Sequence, residues 1–269
     1  ATLTVSPDTF VEVLTDVINN GNLIVMSDGN LKQINKVTNT TPVTVRRHHT
    51  LTEARKEYNF ISSPVAGQNM KMIYGNNAAN VPFVTVLRES TNSFVNATST
   101  DYGVVAKGFS VREPRLAYVD LSGDNLPVDI AQYKGVPNNG DISLVFPTYT
   151  TGRGYNLAGN PYPSNLDLIE LYANSTTALI DPTFRFWDNS VNDIYTQMGG
   201  AYQGYSYALF NAATDTDGFG IAAPGNGTGP KGTKIPNRVI KVSQAFMVRA
   251  TGAGAQLNYN NSMRRTSNT

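Results

Sequence analysis

Residues 2–34 read Thr2-Leu3-Thr4-Val5-Ser6-Pro7-Asp8-Thr9-Phe10-Val11-Glu12-Val13, then, after a gap, Asn22-Leu23-Ile24-Val25-Met26-Ser27-Asp28-Gly29-Asn30-Leu31-Lys32-Gln33-Ile34. Leu3-Thr4-Val5 and Phe10-Val11-Glu12-Val13 recur as Leu23-Ile24-Val25 and Leu31-Lys32-Gln33-Ile34, an offset of 20 or 21 residues. Each pair of short β segments is broken by a turn, Ser6-Pro7-Asp8 or Ser27-Asp28-Gly29-Asn30, and Asn19-Asn20-Gly21-Asn22 separates the copies. A fixed period near 20 residues is the signature of stacked β-solenoid rungs, each burying its apolar face on the next. Two hairpins of a sandwich would give the same spacing, so residues 1–47 read as a solenoid-like segment or as hairpin repeats.

Working outward, Val43-Thr44-Val45-Arg46-Arg47 leads into a charged passage, His48 to Glu57, which reads as a connector of one or two helical turns. Residues 58–269 then carry β periodicity almost throughout. Expected strands include Tyr58–Ser62, Phe83–Arg88, Gly103–Val111, Ile142–Phe146, Phe184–Trp187, Ala245–Arg249 and Gln256–Tyr259. Pro137-Asn138-Asn139-Gly140-Asp141 predicts a tight hairpin, because Asn-Gly accommodates positive φ. One helix is expected, around Asn165–Leu171, with Ser164 or Asn165 as its cap. The fold class is therefore all-β, a β-sandwich or jelly-roll-like domain preceded by the β-repeat segment.

Composition excludes several function classes. Charged residues make up 15%, against roughly 25% in ordinary soluble domains, and 21 basic against 20 acidic side chains leave a net charge of +1. Such a chain has no basic field to hold a nucleic acid backbone. With no cysteine, thiol catalysis, Cys-ligated zinc and iron–sulfur clusters drop out. No apolar run reaches the roughly 20 residues of a membrane helix. Ala1 opens directly into a strand-like stretch without a signal peptide, so the sequence reads as a mature product or an excerpt. The 29 Asn and 28 Thr are turn and strand chemistry.

Several segments taken together carry a resemblance: Val45-Arg46-Arg47, Ser62-Ser63-Pro64-Val65, Ala106-Lys107-Gly108-Phe109, Gly135 to Ile142, Tyr155 to Asp167, Phe186-Trp187-Asp188, Val242 to Val248, and Asn260-Asn261-Ser262-Met263-Arg264. In order and spacing they resemble flavobacterial (Bacteroidetes) adhesin-like cell-surface proteins exported by the type IX secretion system, in the region upstream of the C-terminal sorting domain. The resemblance covers residues 43–265. It implies an extracellular or cell-surface location and type IX secretion components as partners during export, and it brings no catalytic motif.

Read physically, Gly159-Asn160-Pro161-Tyr162-Pro163-Ser164 is a structural corner, since its two prolines fix φ and bias Asn160 and Tyr162 towards extended backbone. Alternation along Phe184-Arg185-Phe186-Trp187 sends the two Phe to one face and Trp187 to the other. Trp187, the only tryptophan, together with Tyr162 and Tyr155, is the candidate platform for a sugar or protein partner. Asp215-Thr216-Asp217-Gly218 offers alternating oxygens of the kind calcium takes; Asp215 and Asp217 are the candidate metal ligands, and calcium the one candidate cofactor. The only histidines, His48 and His49, are adjacent, and alternate faces keep them from sharing a metal. No serine elbow, phosphate loop or His-Glu-x-x-His pattern occurs. The expectation is a non-enzymatic structural or adhesive module of a large secreted surface protein. The alternative is a carbohydrate-binding module of a polysaccharide-degrading enzyme, with a surface glycan as partner.

Overall fold

A computed structural model describes residues 1–48, 58–74, 84–112, 130–146, 154–188, 206–213, 218–225 and 231–267. The repeat forms parallel ladders. Strand β1 (Thr2–Val5) pairs in parallel with β3 (Asn22–Val25), Thr2 opposite Asn22 and Val5 opposite Val25. The same step carries β3 on to β5 (Val43–His48), also in parallel, with Ile24 opposite Thr44. β2 (Phe10–Val13) pairs in parallel with β4 (Asn30–Gln33), Phe10 opposite Asn30 and Val13 opposite Gln33. Hairpins would pair antiparallel, so this register selects stacked rungs. Each rung turns its corner at an aspartate in the left-handed region, Asp8 at φ 58° and Asp28 at φ 62°, a conformation that Asp tolerates better than most residues. Between the ladders lie Val5, Leu23, Val25, Leu31, Val43 and Val45, all buried.

The second edge of β5 pairs antiparallel with β10 (Ile130–Gly135), so the rungs run straight into the rest of the chain. Their apolar residues form one cluster with Ile61, Val65, Met70, Val84, Val86, Phe109, Val111 and Tyr133. These last come largely from a four-stranded antiparallel sheet in the order β6 (Tyr58–Ser62), β9 (Gly108–Arg112), β7 (Val84–Arg88), β8 (Ser93–Asn96). The short helices α1 (Met70–Tyr74) and α2 (Ser99–Tyr102) lie in its connections.

A five-stranded sheet, β12 (Tyr155–Gly159), β18 (Ala245–Arg249), β14 (Thr183–Trp187), β15 (Tyr207–Asn211), β16 (Phe219–Ile221), forms the next layer. Its inner face, Phe184, Phe186, Phe210, Phe246 and Val248, belongs to a second core with Leu166, Leu168, Leu171 and Leu257. Those four come from helix α3 (Leu168–Asn174) and two small sheets: β11 (Ile142–Val145) with β19 (Gln256–Tyr259), and β17 (Val239–Ile240), β13 (Asn165–Asp167), β20 (Arg264–Arg265). The opposite face meets the four-stranded sheet at two glycines. A Cβ on Gly159 would stand 2.5 Å from Ser62 Oγ, and one on Gly108 2.6 Å from Leu157 Cγ, so the layers touch only because both side chains are missing. The fold is all-β, built of layered sheets.

Three local expectations are corrected. The helix begins later than its apolar spacing suggested: residues 165–167 are β13, and Asp167, not Ser164 or Asn165, caps α3 by accepting from Ile169 N and Glu170 N. Two further short helices, α1 and α2, exist; the chain still turns after α2 ends at Tyr102, so the expected strand Gly103–Val111 is extended only over Gly108–Arg112. The Asn139-Gly140 turn has its positive φ, 76° at Gly140, but makes no hairpin. β10 and β11 on its two sides pair instead with β5 and β19. Residues 49–57 of the expected connector lie outside the described residues.

Candidate functional site

Two places concentrate polar chemistry. The first is a buried junction where the rungs meet the layered sheets. Arg264, 2% exposed, donates from Nε to Ser164 Oγ (2.8 Å), from one terminal nitrogen to Asn139 Oδ1 (2.9 Å) and from the other to the Leu31 carbonyl of β4 (2.6 Å). Its guanidinium lies 4.8 Å from the Tyr162 ring centre. Burial pulls its pKa down to about 10, which still leaves it charged at neutral pH. Nearby, Leu31 N donates to Pro163 O (2.7 Å), Asn165 N to Asn30 Oδ1 (2.6 Å), and Tyr162 OH to Gly140 O (2.5 Å). Asn160 Nδ2 donates to Ser164 O and Lys241 O, and Ser62 Oγ donates to Asn160 O. Segments far apart in sequence are thus held by groups whose own polarity is satisfied inside the core, which gives a junction a single geometry.

The second is a cleft of about 500 Å³ between the end of β14, strand β6, residue 47 of β5 and the segment 234–245. Trp187 stands on its wall, half-buried, edge-on to Tyr207 at 5.4 Å and tilted against Phe60 at 6.0 Å. Asp188, 3% exposed, lies against Gly232, where a Cβ would come within 2.8 Å of its carboxylate. Arg47, Lys234 and Lys241 bring three cations. Asp28 is shared between two of them, 2.7 Å from Lys241 and 3.7 Å from Arg47; its pKa, which burial raises, is pulled below the usual carboxylate value by these two neighbours.

The candidate residues separate. Trp187 faces the cleft, and the alternation along β14 holds, with Phe184 and Phe186 in the core. Tyr155 is not beside it: Arg185 lies 5.2 Å and Arg249 5.8 Å from its ring centre, so two guanidinium groups occupy it. Tyr162 is fully buried and presents no ring face to a ligand; it belongs to the junction. Burial also holds the Tyr162 and Tyr259 phenols well above the ordinary tyrosine value. Asp215 and Asp217 lie outside the described residues, and among the described residues no group of three or more His, Asp or Glu is placed to hold a metal. His48 ends β5, exposed. Sequence reasoning missed the cleft's cations and amides, which come from distant segments; its one local signal was Trp187.

Among the described residues, no helix is long and apolar enough to cross a membrane. Neither curated proteins nor solved structures give a match to the chain. A family model does, along all of residues 1–269, and the chain belongs to the family described as Domain of unknown function (DUF8693).

Proposed function

We propose that the chain is a non-enzymatic structural or adhesive module of a large secreted cell-surface protein exported by the type IX secretion system. The observation that carries this reading is the continuity of the parallel rungs with the layered sheets through β5–β10 pairing and the buried Arg264 junction. A spacer that transmits tension needs its parts to share a core, and the rungs share theirs with residues of β6, β7, β9 and β10 and with Val242. The outer rung supports the same reading. β1 and β2 each pair on one side only among the described residues, and Leu3, Phe10, Leu14 and Ile18 are more than half exposed there. That edge is suited to take a further rung by the same parallel step. The neutral, Asn- and Thr-rich composition suits a solvated extracellular surface. Protease shaving of intact cells tests the location, and deletion of the module tests adhesion. The reading expects surface release and loss of attachment; retention inside the cell, or attachment unchanged by the deletion, contradicts it.

A second reading, a carbohydrate-binding module, is favoured by one observation: the half-buried tryptophan on the wall of a polar cleft. Aromatic faces paired with amide donors are the usual recognition chemistry for pyranose rings.

A further inference from the structure

The polar groups of the Trp187 cleft are unequal in kind, and this deepens the carbohydrate reading on which the inference rests. Gln244 accepts the Lys241 backbone N–H through Oε1 (3.0 Å), and Asn237 accepts that of Val239 through Oδ1 (2.9 Å). Each amide oxygen is thereby engaged by the chain's own backbone, and the NH2 of each side chain, which can only donate, is the group left to a ligand. Lys234 is exposed and makes no ion pair among the described residues. Lys241 and Arg47 share the carboxylate of Asp28, and the buried Asp188 carboxylate lies in the cleft wall against Gly232. Among the described residues the cleft therefore sets three cations, Arg47, Lys234 and Lys241, against the carboxylates of Asp28 and Asp188, a surplus of one positive charge beside two amide donors and the Trp187 side chain. A neutral sugar, whose hydroxyls both donate and accept, leaves that surplus unused. A ligand that carries a carboxylate on a pyranose ring matches both features at once, through stacking on Trp187 and charge-assisted hydrogen bonds from Lys234, Lys241 and the two amides.

We propose that the cleft lined by Trp187, Lys234, Asn237, Lys241 and Gln244 binds an acidic sugar residue of the uronic acid type within a polysaccharide. Titration calorimetry of the full chain with trigalacturonate, and with cellotriose as its neutral counterpart, tests this. The expected result is binding of the uronate that weakens as salt rises, at least about tenfold tighter than the neutral trisaccharide. Trp187→Ala weakens it by about tenfold or more. Because Trp187 also packs on Tyr207 and Phe60, Lys234→Met serves as the variant that leaves the fold untouched, and it removes most of the salt dependence. Equal or better binding of cellotriose overturns the acidic assignment while the carbohydrate reading stands. Absence of heat with both sugars, or uronate binding unmoved by both variants, overturns the site itself.

Discussion

Replacing Arg264 by methionine is the sharpest perturbation of the junction. Methionine keeps much of the volume and the apolar contact with Tyr162, while Ser164 Oγ, Asn139 Oδ1 and the Leu31 carbonyl lose their donor together. Each charge-assisted hydrogen bond contributes about 1.5–3 kcal/mol, so three of them amount to roughly 4–9 kcal/mol. Against this stands relief of the several kcal/mol that burying the guanidinium costs. The net expectation is a loss of about 3 kcal/mol, which for a chain of this size lowers Tm by roughly 6–12 °C. Urea unfolding measures the loss, and hydrogen exchange locates it. Protection should fall first in β2–β4, whose Leu31 carbonyl is released, and less in β12–β18. A change below about 0.5 kcal/mol, the size of an ordinary surface substitution, or protection lost evenly over all strands, would refute the claim that Arg264 ties the rungs to the sheets.

Three further outcomes follow from individual contacts. Asp101, 3% exposed, is pushed up by burial but held far below the usual carboxylate value of 3.8 by hydrogen bonds from Arg88, Lys107 and Thr98. The folded state thus binds fewer protons than the unfolded one, so this group's contribution is complete above about pH 4 and is lost as pH falls towards its folded value; Asp101→Asn should cost about 2 kcal/mol at pH 7, a difference that shrinks in urea melts below pH 4. Asp167→Ala removes the cap of α3 and leaves Arg238 and Arg265 without their shared carboxylate, a loss of about 2–4 kcal/mol in urea unfolding. Gly159→Ala forces a methyl against Ser62 and Ala245 and should cost about 1–3 kcal/mol by the same assay, whereas a neutral effect would mean that the two sheets do not approach as described.

What the sequence made legible was local. The matched spacing of Leu3 and Leu23, with Asp8 and Asp28 at corresponding corners, carries the rung geometry because a parallel stack repeats its register. Strands β6, β18 and β19 fall where apolar alternation puts them. The corner at residues 159–164 was legible as structure through its prolines. Partners were not legible. Asn139-Gly140 has the backbone of a hairpin turn, yet β5, from much earlier in the chain, outcompetes β11 for the edge of β10. Tyr162 reads like any surface tyrosine until Gly140 and Arg264 close over it. The cleft's donors come from residues 47, 234–237 and 241–244, and only the fold brings them to Trp187.

If rungs and sheets form one mechanical unit, their cores open together. Native-state hydrogen exchange of the whole chain across a urea series reads this out, by comparing amides of Val25, Leu31 and Val45 with those of Phe184 and Phe246. The two groups should converge on one opening free energy as urea rises. Rung amides that exchange through a separate, markedly lower-energy opening, with the sheets still protected, would contradict it.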